Sequence, residues 1–107
     1  MAAPETLFVA GGLSALATRL AELGTRNVLV LAPPSRRHVD EVLAALHAFA
    51  PVVFDQARVH VPAEVVDAAS RLLTDSEADT IVAIGGGSAI GLGKALRLTH
   101  DVRFAAI

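Results

Sequence analysis

The residues with the clearest chemical potential are Gly85-Gly86-Gly87-Ser88. They follow the β-branched apolar run Thr80-Ile81-Val82-Ala83-Ile84 and precede an apolar segment long enough for a helix. A strand, a tight turn and a helix N-terminus in this order make an anion-binding corner. The N–H groups of a first helical turn have no intrahelical acceptor, and the helix dipole adds partial positive charge beside them. Glycines there remove the Cβ atoms that would hold a phosphate away from the backbone.

The known nucleotide fingerprints do not fit in detail. For G-x-G-x-x-G, a start at Gly85 requires glycine where Ile90 stands, and a start at Gly87 requires it at Ala89. The corner also follows the fourth predicted strand rather than the first. For G-x-x-x-x-G-K-[ST], Gly93-Lys94 is present, but Ser88 occupies the first position and Ala95 the last. Phosphoryl transfer of the P-loop type is therefore not expected. Gly91 and Gly93 fall in the early turns of the helix, where each costs about 0.8–1 kcal/mol relative to alanine. Close packing on the sheet or close approach of a ligand would offset that cost. Lys94 is the one lysine among nine basic residues. A solvated position on the helix and a polar role near a ligand are both open to it.

The elements that must position this corner follow from periodicity. Residues 6–10 read as a strand stopped by Gly11-Gly12. Leu13, Leu16, Ala17, Leu20 and Leu23 recur at helical spacing, with Gly24 as the stop. Residues 27–32 form a second strand, apolar on both faces as strands of a covered parallel sheet are. Pro33-Pro34-Ser35 breaks it, and Ser35 is expected to cap a helix whose stripe is Val39, Val42, Leu43, Leu46 and Phe49. Residues 51–54 make a short third strand, with Val59-His60-Val61 extending it or forming an edge piece. Pro62 suits a first helical turn, and Val65, Val66, Ala69, Leu72 and Leu73 form the third stripe. After a polar turn at residues 76–79 come the fourth strand at 80–84, the corner and a helix to about Thr99. A last strand starts at Val102. Strand–helix alternation throughout predicts an α/β domain, a parallel sheet with helices on both faces. Ligands of such sheets sit beyond the carboxyl ends of the strands, where both residues 33–35 and the glycine corner lie.

Composition narrows the function classes. At 107 residues the chain is one domain at most, and 53% hydrophobic with 19% charged residues describes a packed chain. The net charge is −2 and the eight arginines are scattered, so no basic field exists for nucleic acid. Cysteine is absent, which excludes disulfides and thiolate metal sites and fits a reducing, cytoplasmic setting. No signal peptide and no membrane span are expected. No metal site is expected either. His38 and His47 are nine residues apart, which on one helix would set them on opposite faces. His60 precedes a helix, and His100 ends one, where a cation suits the dipole. Asp75, Glu77 and Asp79 are expected to serve solvation and capping. No nucleophile–base pair has informative spacing, and no G-x-S-x-G elbow is present.

With its Lys six residues after the serine, Gly85-Gly86-Gly87-Ser88 resembles the G-G-G-S-x-x-D-x-x-K signature of the iron-containing alcohol dehydrogenase superfamily. Gly91 stands where the Asp is expected. The string Gly91-Leu92-Gly93-Lys94-Ala95 is similar to the G-L-G-K-A of the maleylacetate reductase branch. Val28-Leu29-Val30-Leu31, Val53-Phe54-Asp55 and His60-Val61-Pro62 with Glu64-Val65 also resemble that branch, so the likeness spans nearly the whole chain.

The resemblance implies a Rossmann-like, doubly wound dinucleotide-binding domain over residues 1–107, with a C-terminal helical domain lying beyond them. It implies NAD(H) or NADP(H) as cofactor and reduction of maleylacetate to 3-oxoadipate in aromatic-compound degradation. Gly86, Gly87 and Ser88 would hold the cofactor pyrophosphate, Gly85 would shape the turn, and Pro33 would face the adenosine ribose. With no acidic residue at Pro33, either cofactor stays open. The implied partners are the dinucleotide, a small carboxylate substrate and a second copy in a homodimer. No catalytic residue falls within these residues. The chain ends inside a predicted strand and is expected to be a truncated cofactor portion, inactive alone and prone to self-association through uncovered apolar surface. An alcohol or glycerol dehydrogenase fragment and a non-catalytic nucleotide-binding module are the alternatives.

Overall fold

The computed structural model describes residues 6–8, 12–36, 38–57, 62–84 and 87–107, with only the backbone described at 6–8 and 12. The elements are β1 (Thr6–Phe8), α1 (Gly12–Glu22), β2 (Val28–Leu31), α2 (Val39–Ala45), a 3₁₀ turn (His47–Phe49), β3 (Val52–Phe54), α3 (Ala63–Asp75), β4 (Thr80–Ala83), α4 (Gly87–Arg97) and β5 (Arg103–Ala106). The strands form one parallel sheet in the order β1-β5-β4-β2-β3. This is the α/β doubly wound class expected from the alternation. Val9, Ala10, Gly11 and Val59-His60-Val61 lie outside the described residues.

The sheet is covered on both faces because its central strands are apolar at every position. Leu29, Leu31, Ile81, Ala83 and Phe104 point to one face, where Ala69 and Leu73 of α3 and Ala89, Leu92 and Leu96 of α4 bury them. Val28, Val30, Val82 and Ala105 point to the other, against Leu16 and Leu20 of α1 and Val39 and Val42 of α2. The two sets alternate with the period-2 pleat. Burying each Leu, Ile or Phe contributes about 1.5–3 kcal/mol, so the two layers hold the sheet without disulfides. Among the described residues, Leu98 and Ile107 are the large apolar side chains left exposed.

Glycine in α4 has a packing reason. A Cβ on Gly93 would meet the Phe104 ring at 2.6 Å, so this helix lies on β5 at a distance only glycine permits. The amino-terminal rim of the sheet is tied by loops. At the end of α1, Gly24 (φ +78°) permits the paired bonds Gly24 N–H to Ala21 O (3.1 Å) and Thr25 N–H to Leu20 O (3.1 Å). Glu77 fills the equivalent place after α3 at φ +56°, with Glu77 N–H to Thr74 O (3.1 Å) and Ala78 N–H to Leu73 O (3.2 Å). Asp79 does more than face solvent: its carboxylate accepts from the Arg26 backbone N–H (2.9 Å) and the Thr80 hydroxyl (3.1 Å). Asn27 Nδ2 donates to Glu77 O (3.1 Å).

Three details differ from the sequence reading. Ser35 does not cap α2. Arg36 N–H donates to Pro33 O (2.9 Å), closing a turn with Pro34 and Ser35 at its centre, and α2 begins only after His38, itself at φ +65°. The double proline favours that turn over a helix start. The helix is also shorter than expected, ending at Ala45 with Phe49 in the 3₁₀ turn. His38 and His47 thus flank α2 instead of sharing its faces. Finally, His100 lies beyond the end of α4, and its Nε2 shares a 2.6 Å hydrogen bond with the Ser70 hydroxyl of α3.

Candidate functional site

The connections of the sheet determine where a ligand can sit. From β2 the chain passes to β3 on one side, and from β4 it passes to β5 on the other. The helices of these two connections lie on opposite faces. β2 and β4 are neighbours, so the winding reverses between them. Such a reversal opens a crevice outside the carboxyl ends of the two strands. Their exits are level, with Leu31 opposite Ala83. Ile84 N–H donates to Leu31 O (2.8 Å), which continues the ladder one step past the strands.

The described site residues of the sequence reading fall on this rim. Pro33 follows β2 by two residues and is half-buried. Gly87 opens α4, exposed, and Ser88 follows, half-buried. Gly85 and Gly86 lie outside the described residues. An ideal Cβ on Gly87 meets nothing within 4 Å, so the space above the helix start is open. The first turn of α4 contains no acidic residue, and its basic residues, Lys94 and Arg97, are in the last turn. An anion at the N-terminus would meet N–H dipoles and no carboxylate on this helix. Lys94 is exposed and seven residues from Gly87, about 10 Å along the axis, which favours its solvated role.

A charged pair that the sequence did not bring together stands just past the ends of β2 and β3. Arg36 (φ +55°) ends the turn after β2, and its Nη1 lies 2.6 Å from Oδ2 of Asp55, just past β3. The β2–β3 register, Leu31 opposite Phe54, brings together residues 19 apart in sequence. Ala32 N–H to Phe54 O (2.9 Å) and Ala57 N–H to Ala32 O (3.2 Å) tether the segment carrying Asp55 to the end of β2. The Gln56 amide, donating to Asp55 Oδ1 at 2.9 Å, and the Arg36 guanidinium hold the Asp55 carboxyl below its ordinary pKa. Only the pairing of β2 with β3 could reveal this pair; an Arg in the turn after a strand was the sole signal in the sequence.

Among the described residues, no three His, Asp or Glu side chains come together as a metal site. Nor is any described helix long and apolar enough to cross a membrane.

Comparison with known proteins places these features in context. The family model for iron-containing alcohol dehydrogenase matches residues 3–105. The chain is 40% identical over 100 residues to maleylacetate reductase 1 of Cupriavidus pinatubonensis, covering 92% of this chain and 28% of that protein. It is 40% identical over 105 residues to the maleylacetate reductase of Pseudomonas sp. strain P51, covering 97% and 30%. The crystal structure of maleylacetate reductase from Agrobacterium tumefaciens superposes with a TM-score of 0.83 at 35% identity, over 99% of this chain and 31% of that one. The enzyme from Rhizobium sp. strain MTP-10005 gives 0.82 at 34% identity, over 99% and 31%. The chain thus spans about 30% of the length of the curated relatives it matches.

Proposed function

The chain belongs to the iron-containing alcohol dehydrogenase family, and from that premise we propose that residues 1–107 are the dinucleotide-binding part of an NAD(P)H-dependent oxidoreductase similar to maleylacetate reductases. The observation that carries this reading is the coincidence of the α4 N-terminus with the winding reversal between β2 and β4. Gly85, Gly86, Gly87 and Ser88 receive the pyrophosphate, with first-turn N–H groups and the Ser88 hydroxyl as donors. The adenosine ribose lies over the exit of β2 at Pro33. When bound, the reduced nicotinamide supplies hydride. The residues described here bind and orient the cofactor and exclude water along the rim formed by Ala32 and Ile84, both buried. We assign no catalytic residue to residues 1–107. By likeness to the relatives, the substrate of the whole protein is a small unsaturated carboxylate such as maleylacetate, reduced to 3-oxoadipate in the cytoplasm during aromatic-compound degradation.

Titration of the 107-residue chain with NADH and NADPH, read by nicotinamide fluorescence and calorimetry, tests the reading. Saturable binding of at least one, lost in Gly87→Leu with the circular dichroism spectrum unchanged, is expected. Failure of both to bind at millimolar concentration would leave the glycines a purely structural role.

A further inference from the structure

We infer that Arg36, held by Asp55 beside the exits of β2 and β3, is the residue that recognises the 2′-phosphate of NADP(H), the phosphate taking the place of the Asp55 carboxylate on the guanidinium. This rests on the dinucleotide reading above. In the sheet order β4-β2-β3, the α4 N-terminus stands over β4, Pro33 follows β2, and the Arg36–Asp55 pair spans the exits of β2 and β3. With neighbouring strands about 4.8 Å apart, the pair is displaced by one to two strand spacings from the proposed pyrophosphate position, on the same side as the proposed ribose position at Pro33. A dinucleotide with its ribose over β2 would thus have this pair beside that ribose, within the reach of a long arginine side chain.

The chemistry fits a phosphate dianion. A guanidinium presents its donors in a planar fork that matches carboxylate and phosphate oxygens alike. Arg36 already binds one such anion, the Asp55 carboxylate, at 2.6 Å. The pair is accessible: the Arg36 side chain is 47% exposed and that of Asp55 31%. The backbone geometry gives the pair a defined place. Arg36 sits at φ +55° at the end of the Pro33–Arg36 turn, and its carbonyl accepts the Val39 N–H at 3.2 Å. Asp55 keeps a second partner, Gln56 Nε2, which satisfies the carboxylate once Arg36 turns to phosphate. For NADH, without the 2′-phosphate, the ion pair stays closed and the ribose hydroxyls meet no free cation from it. Asp55 thus acts as an internal competitor that lets the site take either cofactor.

The test is the ratio of NADPH to NADH dissociation constants in the 107-residue chain and in Arg36→Gln, Arg36→Ala and Asp55→Asn, with thermal melts confirming the fold. Both arginine variants should weaken NADPH about tenfold or more, the loss expected of a charged hydrogen bond, and leave NADH within twofold. Asp55→Asn should tighten NADPH several-fold and leave NADH unchanged, and added salt should erode the NADPH preference in every variant that retains Arg36. A ratio unchanged in Arg36→Gln and Arg36→Ala, equal weakening of both cofactors, or binding of NADH alone even in Asp55→Asn would each overturn the assignment while leaving the dinucleotide reading intact. Absence of binding by either cofactor in the unmodified chain would overturn both.

Discussion

Gly93→Ala exposes how closely α4 is pressed on the sheet. The new methyl would lie 2.6 Å from Phe104 Cε1, 3.0 Å from Cζ and 3.2 Å from Cδ1. Carbon pairs settle at about 3.5–4.0 Å, so the intrusion on Cε1 is about 1 Å. Turning the ring about its Cβ–Cγ axis moves Cε1 and Cδ1 but leaves Cζ, which lies on that axis, at 3.0 Å from the new methyl. Phe104 is 1% exposed and shares its cluster with Leu29, Leu31, Ile81 and Leu92, so the ring has no space to retreat into. Overpacking of this kind costs about 1–3 kcal/mol. The better helix propensity of alanine returns about 0.8–1 kcal/mol. The net expectation is a loss of about 1 kcal/mol, seen as a fall in Tm of roughly 4–8 °C. Urea denaturation of Gly93→Ala, Phe104→Leu and the double variant completes the cycle. The smaller side chain should accommodate the methyl, so the double variant should be more stable than additivity predicts by about 1 kcal/mol. A Gly93→Ala protein at least as stable as the parent, or an additive cycle, would refute the reasoning.

Gly87→Ala separates the two ends of the same helix. With open space above Gly87, the melting temperature should stay within about 2 °C of the parent, corresponding to under about 0.5 kcal/mol, while cofactor titration reads the effect on binding. At the helix ends, Gly24→Ala should lose about 1 kcal/mol because alanine resists φ +78°, whereas Glu77→Gly should gain about 0.5–1 kcal/mol by relieving the same strain at φ +56°; chemical denaturation measures both. Asp55 contributes to acid stability. Because its folded pKa is depressed, its stabilisation is complete above the ordinary aspartate pKa of about 4 and is lost as pH falls through the lower folded value. Asp55→Asn should therefore flatten the stability–pH curve in that acid range and change nothing in slope near pH 7, as followed by melts from pH 2 to 7.

Most of the fold was legible in the chain because its central strands are apolar at every position and its helices carry clear stripes. Val28-Leu29-Val30-Leu31 and Thr80-Ile81-Val82-Ala83 could belong only to strands buried on both faces, and Gly24 could only end a helix so regular in its leucines. The glycine corner could be singled out as a candidate anion site for a similarly local reason: backbone N–H groups at a helix start need nothing from the rest of the molecule. What failed was local competition. At Pro33-Pro34-Ser35-Arg36 a helix cap and a proline turn were both available, and the turn prevailed, delaying α2 to Val39.

Tertiary structure decided what adjacency along the chain cannot encode. The strand order, and with it the reversal between β2 and β4, follows from which connection crosses which face, and no residue type records that choice. For Gly93 the sequence left close packing on the sheet and close approach of a ligand both open; contact with Phe104, eleven residues on, makes it a packing glycine. Arg36 and Asp55 were two unconnected charges in the sequence until β2 paired with β3 and set them 2.6 Å apart. Gly85-Gly86-Gly87-Ser88 could be singled out as a candidate from sequence because a helix start presents its N–H groups whatever surrounds it. Its neighbours around the crevice could not, because they meet only when the parallel strands align their carboxyl ends.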